Sequence, residues 1–228
     1  MKTKTDTEKS ASTEEKIKEA ARRVFTQKGY AATRTRDIAE ESGYNLALIN
    51  YYFRSKEKLF DIVMLEQLQI FVHSIAGLLN DRETTLPKKI ELLVSHYIDM
   101  LIANPGLPFF ILNEAYAGPE KLFEKVGAGV AGQDLYIRKQ WLEFATAHKM
   151  NTINPIHLFM NLMSMTVFPF IASPILRNKT NMSTDAFNAL MVERKKLIPA
   201  WIDAMMQMPV KQSAPPKIPK SKQKGETK

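Results

Sequence analysis

The sequence predicts an all-α chain in two parts, a short helix-turn-helix unit ahead of a larger helical body. Three observations predict it. Apolar residues recur at three- and four-residue spacing, and no segment alternates with the period of two that a half-buried strand needs. Glycine, proline and the capping residues Ser and Asn divide this periodic sequence into pieces of helix length. Three helical segments, the second and third short and joined through Ser42-Gly43-Tyr44-Asn45, fall within the first 53 residues.

The elements follow in order. Residues 1–11 are polar and aperiodic and predict a disordered arm. Ser12 and Glu15 have the spacing of a capping box, and Ile17, Ala20, Ala21, Val24 and Phe25 then form the apolar stripe of a first helix that Gly29 interrupts. A second, short helix is expected over Arg36–Ser42 with Thr35 as its N-cap, and Gly43 ends it. Asn45 caps a third helix over Leu46–Phe53. Ile49 and Phe53 are four apart and face inward against Ile38 and Val24, which turns Leu46, Ala47 and Asn50 outward. Ser55 caps a long fourth helix with the stripe Leu59, Phe60, Val63, Leu68, Phe71, Val72 and Ile75, ending at Asn80-Asp81.

The body repeats this pattern. Pro87 opens a helix through Ile90, Leu93, Val94, Tyr97 and Leu101 to Asn104-Pro105. A short aromatic segment, Pro108 to Tyr116, precedes a helix from Pro119 to Val126. Another helix is expected from about Asp134 to Met150. Asn154-Pro155 opens a very apolar helix that ends near Ser173-Pro174, and Ser183 caps a last one from Asp185 to about Met208. The resulting division is a helix-turn-helix domain over 12–58, a helical body over 59–208 and a basic, proline-rich tail over 209–228 that reads as a disordered, solvated segment.

Charge sharpens the reading. The formal net charge is +8, but residues 1–60 hold 13 Lys/Arg against 9 Asp/Glu, residues 61–208 hold 13 against 14, and residues 209–228 hold 6 against 1. A basic segment beside a balanced body suits a polyanionic partner, with double-stranded DNA the first choice for a helix-turn-helix. The chain has no cysteine, which excludes disulfide and thiolate chemistry and fits a reducing cytoplasm. The opening MKTKTDTEKS lacks the apolar stretch of a secretory signal, and cytoplasmic localisation is expected.

The stretch Thr33-Arg34-Thr35-Arg36-Asp37-Ile38-Ala39 through Gly43, followed by Ile49-Asn50-Tyr51-Tyr52-Phe53-Arg54-Ser55-Lys56-Glu57-Lys58-Leu59-Phe60, resembles the TetR family of transcriptional regulators. The resemblance covers residues 14–62. Beyond them it is architectural. It implies a DNA-binding surface made of Thr35, Arg36, Asn45, Leu46, Ala47, Asn50, Tyr51, Tyr52 and Lys56. Thr35, Tyr51, Tyr52 and Lys56 would meet phosphates, and Arg36 a base or a phosphate. Leu46 and Ala47 offer apolar contact such as a thymine methyl, and an asparagine such as Asn50 can pair with adenine, although the family more often has tyrosine there. The same resemblance implies a homodimer through the last two long helices, about 155–173 and 184–208, and a pocket for an unidentified small-molecule effector in the body. His96, Met100, Phe110, Asn113, Trp141, Phe159 and Met163 are the candidate pocket residues: bulky or adaptable side chains and polar groups on apolar helices.

Two patterns mislead. Gly127-Ala128-Gly129-Val130-Ala131-Gly132 spells GxGxxG, but it follows a helical pattern without a βαβ unit and reads as a flexible helix break. No charged residue falls between Lys149 and Arg177, a run long enough to span a bilayer. Asn154, Pro155, Asn161, Pro169 and Pro174 argue instead for a helix buried between the core and a dimer interface, and no membrane association is expected. His73, His96, His148 and His157 have no metal-ligand spacing, so neither a metal nor a cofactor is expected, and no catalytic constellation is visible. The predicted function is a ligand-responsive transcriptional regulator, a repressor released from a palindromic operator by a small molecule. An all-α binding protein or enzyme without operator binding, and a helical protein anchored in a membrane through 150–176, are the competing readings. Salt-dependent DNA binding separates the first from the lead, and sedimentation with membranes separates the second.

Overall fold

The computed structural model describes residues 4–127, 135–147 and 155–207. Among them the chain forms eleven helices and no strand. The first, α1 (Lys4–Ala32), starts well before the Ser12 cap, so the expected arm over 1–11 is helical from Lys4 onward; no proline or glycine interrupts that polar lead-in. Gly29 breaks the helical path at φ 75°, ψ 161°, a conformation that costs a Cβ-bearing residue strain, and the chain resumes helix to Ala32. The next three helices are α2 (Thr35–Ser42), α3 (Leu46–Phe53) and α4 (Lys56–Asn80).

The body holds α5 (Leu86–Ala103), α6 (Leu107–Ala117), α7 (Pro119–Val126), α8 (Tyr136–Ala147), α9 (Pro155–Ile171), α10 (Ser173–Thr180) and α11 (Thr184–Gln207). The segment from Pro108 to Tyr116 is thus a full helix. The apolar run of α9 ends at Ile171, and the chain bends by 58° into α10. That extra helix was not separated in the sequence because Ser173-Pro174 reads equally as a stop and as a new start, proline being at home in a first turn. By length and apolar composition α4 could cross a membrane, and so could α9 and α10 taken as one bent span. Both α4 and α9 bury some of their apolar side chains in the core, among them Leu59, Val63, Leu162 and Phe170. Most of the GxGxxG run, the ends of the helix expected over 134–150 and the tail over 209–228 lie outside the described residues.

Two cores organise these helices. The N-terminal core gathers Ile17, Ala21, Val24 and Phe25 of α1, Ile38 of α2, Ile49 and Phe53 of α3, and Leu59, Val63, Met64 and Leu68 of α4. Full burial of each large side chain among them contributes about 1.5–3 kcal/mol. The body core takes Phe71, Ile75 and Leu79 from the far half of α4 and packs them with α5, α8, α9 and α11. No break falls at residue 58; α4 runs through both cores, and Val72 and Met100 pack against each. The N-terminal core also recruits Leu107 and Phe110 of α6 and Leu122 of α7.

Candidate nucleic-acid interface and apolar cavity

The turn between α2 and α3 is built by local chemistry. Gly43 closes α2 in the left-handed region at φ 72°, ψ 13°. The Asn45 side-chain oxygen accepts the Leu48 N–H at 2.8 Å and so caps α3. The start of α2 differs from the sequence expectation. Its N-cap is Arg34, and Thr35 is already in the helix. The cap is made in reverse, by the Asp37 carboxylate accepting the Arg34 N–H at 2.7 Å. That hydrogen bond, with Lys28 at 2.9 Å, holds the Asp37 carboxyl below its ordinary range.

Burial sorts the face of α3 as its periodicity predicts. Ile49 and Phe53 are buried, Leu46 is half-buried, and Ala47, Asn50 and Tyr51 are exposed, Tyr51 by 72%. Tyr51 and Tyr52 make an edge-on ring pair at 5.4 Å, but Tyr52 is half-buried and packs on the N-terminal core. Arg36 is exposed on α2 and Thr35 is half-buried beside it. Arg54, which the sequence reading left unassigned, ends α3 at φ 62°, a region few non-glycine residues occupy, and its side chain is exposed. Asn45 therefore has a structural task for its oxygen, leaving its amide protons outward.

Lys56 departs most from expectation. Its ammonium donates to the Tyr30 carbonyl at 3.0 Å and the Thr33 carbonyl at 3.1 Å, and stands 4.2 Å from the Tyr30 ring centre. It thereby satisfies one carbonyl in the last turn of α1 and one just beyond it. Glu57 beside it accepts the Tyr30 hydroxyl at 2.9 Å. The first turn of α4 thus holds Tyr30 by its ring and by its hydroxyl, next to the bend after Gly29.

The body contains a cavity of about 410 Å³ among α4, α5, α8, α9 and α11. Its wall is nearly all aliphatic and aromatic, with Ile75, Ile90, Leu93, Trp141, Leu162 and Ile202 in the interior. Of the seven sequence candidates, Trp141, Phe159 and Met163 line it. The other four do not. His96 and Asn113 are exposed, Met100 sits at the seam between the cores, and Phe110 is buried in the N-terminal core because α6 folds back onto α4. The sequence reading missed Tyr97 and Arg138, which also line the cavity. Tyr97 was read as one more stripe residue, yet burial raises its hydroxyl pKa to about 12, so it is a neutral donor at any physiological pH. Among the described residues no cluster of three or more His, Asp or Glu side chains is arranged to hold a metal ion.

A helix-turn-helix whose long exit helix runs into a helical body with its own core defines a two-part, all-helical architecture. Residues 17–63 match the family model of the bacterial regulatory proteins of the tetR family. The protein designated probable HTH-type transcriptional regulator YttP, of Bacillus subtilis (strain 168), is 42% identical over 55 residues, which are 24% of this chain and 27% of that protein. The match thus spans about a quarter of that relative's length. A solved structure of a protein assigned to the TetR-family transcriptional regulators, from Mesorhizobium loti MAFF303099, superposes with a TM-score of 0.52 at 20% identity, covering 86% of this chain and 96% of that one. At that identity the likeness is one of fold. Over residues 17–63 the chain is thus similar to the bacterial regulatory proteins of the tetR family, and over most of its length it shares a fold with that solved structure.

Proposed function

We propose that this protein is a ligand-responsive DNA-binding transcriptional regulator, a homodimeric repressor that leaves a palindromic operator when a small molecule fills the body cavity. The observation that carries the reading is the continuity of α4, whose first turns hold the helix-turn-helix and whose last turns, through Val72, Ile75 and Leu79, line the cavity. A ligand that prefers a different tilt of α4 moves α3 with it, and by linkage ligand and DNA weaken each other.

In this reading α3 enters the major groove, with Ala47 and Asn50 toward base edges and Leu46 at their margin. Thr35, Arg36, Asn45 and Tyr51 reach the backbone or adjoining bases, and Arg34 and Arg54 add positive charge to the same side. Tyr52 contributes its hydroxyl from a packed ring. Lys56 has one proton beyond its two carbonyl bonds to offer a phosphate. Dimerisation uses α9 and α11, which leave Phe168, Leu190, Leu197 and Trp201 substantially exposed on one protomer. The setting is the cytoplasm, where the DNA is, and no cofactor is required.

The test is a titration of purified protein against the DNA upstream of its own gene at two salt concentrations, with light scattering on the same sample. A dimer that binds a discrete site, and binds it more weakly as salt rises, establishes the regulator. A monomer without DNA affinity at either salt overturns it.

A further inference from the structure

The cavity wall carries a polarity that the shape alone does not require. Among its sixteen lining residues one is charged, Arg138, in the first turn of α8. Arg138 is exposed and has no carboxylate partner among the described residues, so it stands at the rim with its head in water. The Tyr97 hydroxyl and the Trp141 indole N–H also lack hydrogen-bond partners among the described residues, and both belong to the wall. Among the described residues the available polar groups are thus donors and a cation, and none of the lining residues is a carboxylate.

The neighbourhood of the rim strengthens that sign. Tyr136, two residues before Arg138, has Arg82 and Lys139 each at 5.8 Å from its ring centre, whereas Lys89, at 5.0 Å, is fully buried and donates to the Leu79 and Asp81 carbonyls. Lys139 has a distant partner in Glu143 at 3.9 Å and Asp81 lies next to Arg82, yet Arg82 itself makes no ion pair among the described residues. An apolar cavity whose one charged lining residue is an exposed arginine fits a molecule with the same division: a hydrocarbon body and an anionic end.

We propose that the cavity binds the anion of a hydrophobic carboxylic acid, its chain among Ile75, Ile90, Leu93, Trp141 and Leu162 and its carboxylate on Arg138 at the rim. The proposal rests on the ligand-responsive reading above and names the ligand class for the same cavity. A cavity of about 410 Å³ falls within the range of small-molecule sites, about 300–1,000 Å³, and a straight-chain acid such as dodecanoate is a probe suited to that range. Tyr97 and Trp141 can each donate to an oxygen carried further along the chain, so hydroxylated or keto acids of the same length belong to the class.

Calorimetric titration of the full chain with dodecanoate and with 1-dodecanol, both below their aggregation limits, tests it. The wild type is expected to bind the anion about tenfold more tightly than the neutral alcohol, the selectivity of a charge-assisted hydrogen bond at a half-wet rim. Arg138→Gln, at an exposed position that folding does not need, brings the two within about twofold by removing that bond. Met163→Trp fills the chamber from its half-buried wall and abolishes both. Equal affinities in the wild type, or a preference that survives Arg138→Gln, overturn the assignment of an anion while leaving the cavity as a ligand site. Undiminished binding to Met163→Trp moves the ligand out of the cavity and overturns the proposal. If neither compound binds, the proposal fails, and operator binding by the same sample shows whether the regulator reading fails with it.

Discussion

At the scale of single residues, Lys56 separates a contact in the proposed DNA interface from a support for the fold. A lysine that only touches a phosphate can be removed without cost to the fold. Lys56 also closes the end of α1 through the Tyr30 and Thr33 carbonyls. Lys56→Ala leaves two carbonyls without that donor, and a stability loss of about 1–3 kcal/mol is expected from thermal or urea unfolding. If its remaining proton meets a phosphate, the variant also binds operator and non-operator DNA more weakly, with a salt dependence shallower by about one charge. An unchanged slope assigns the affinity loss to the displaced helix-turn-helix alone. The motif singles out Lys56 as a phosphate contact, but nothing in the sequence could reveal its carbonyl partners. Those carbonyls are free because α1 ends there, and a backbone acceptor leaves no mark in residue type. Arg138 was illegible for a related reason: its meaning comes from a cavity assembled by five helices, most of them distant in sequence.

At the scale of elements, helix ends were read well where a short polar side chain caps its own helix, and less well elsewhere. Asn45, Ser55 and Ser183 cap α3, α4 and α11 as their spacing indicates, each accepting a backbone N–H three residues on. Thr35 looked equally suitable, but Asp37 reaches back to Arg34 and shifts the start of α2 by one residue. The carboxylates at such ends have a consequence for acid stability. Asp37 is held low by the Arg34 N–H and Lys28, Glu57 by its own backbone N–H and the Tyr30 hydroxyl, and Asp81 by Thr84 and the Glu83 N–H. A carboxyl with a lowered native pKa stabilises the fold fully above its unfolded value, near pH 4, and that stabilisation is lost as pH falls through the native value. Asp61 acts in the opposite sense: burial, then Glu114, raises its pKa, so its contribution is present at low pH and lost as pH rises. Carboxyl titration by NMR is expected to find Asp37, Glu57 and Asp81 below their ordinary values and Asp61 above. An ordinary value for Asp37 would mean that its link to Arg34 does not persist in solution.

At the scale of the whole molecule, the sequence suggested two domains with a boundary at 58, and the structure joins them through one helix. Periodicity shows that α4 is apolar along its length, but not that its near half belongs to one core and its far half to another. The return of α6 and α7 onto the N-terminal core, with Leu107, Phe110 and Leu122, is likewise a long-range contact without a local signature. Joined cores should unfold together, since each loses a wall of packed α4 side chains if the other melts. The two tryptophans give a way to see this, because Trp141 and Trp201 both lie in the body. Ile49, 2% exposed, lies in the N-terminal core among α1, α2 and α3. Ile49→Ala is expected to cost about 2–5 kcal/mol by opening a cavity there. In one cooperative molecule, the urea midpoint read by tryptophan fluorescence falls together with the midpoint read by helical circular dichroism, although the substitution touches neither tryptophan. Independent domains give a different result: fluorescence keeps its wild-type midpoint while circular dichroism shows an earlier partial loss. That second outcome would remove the mechanical basis for α4 as the link between cavity and DNA, because a helix that lets one core melt without the other cannot pass a tilt between them.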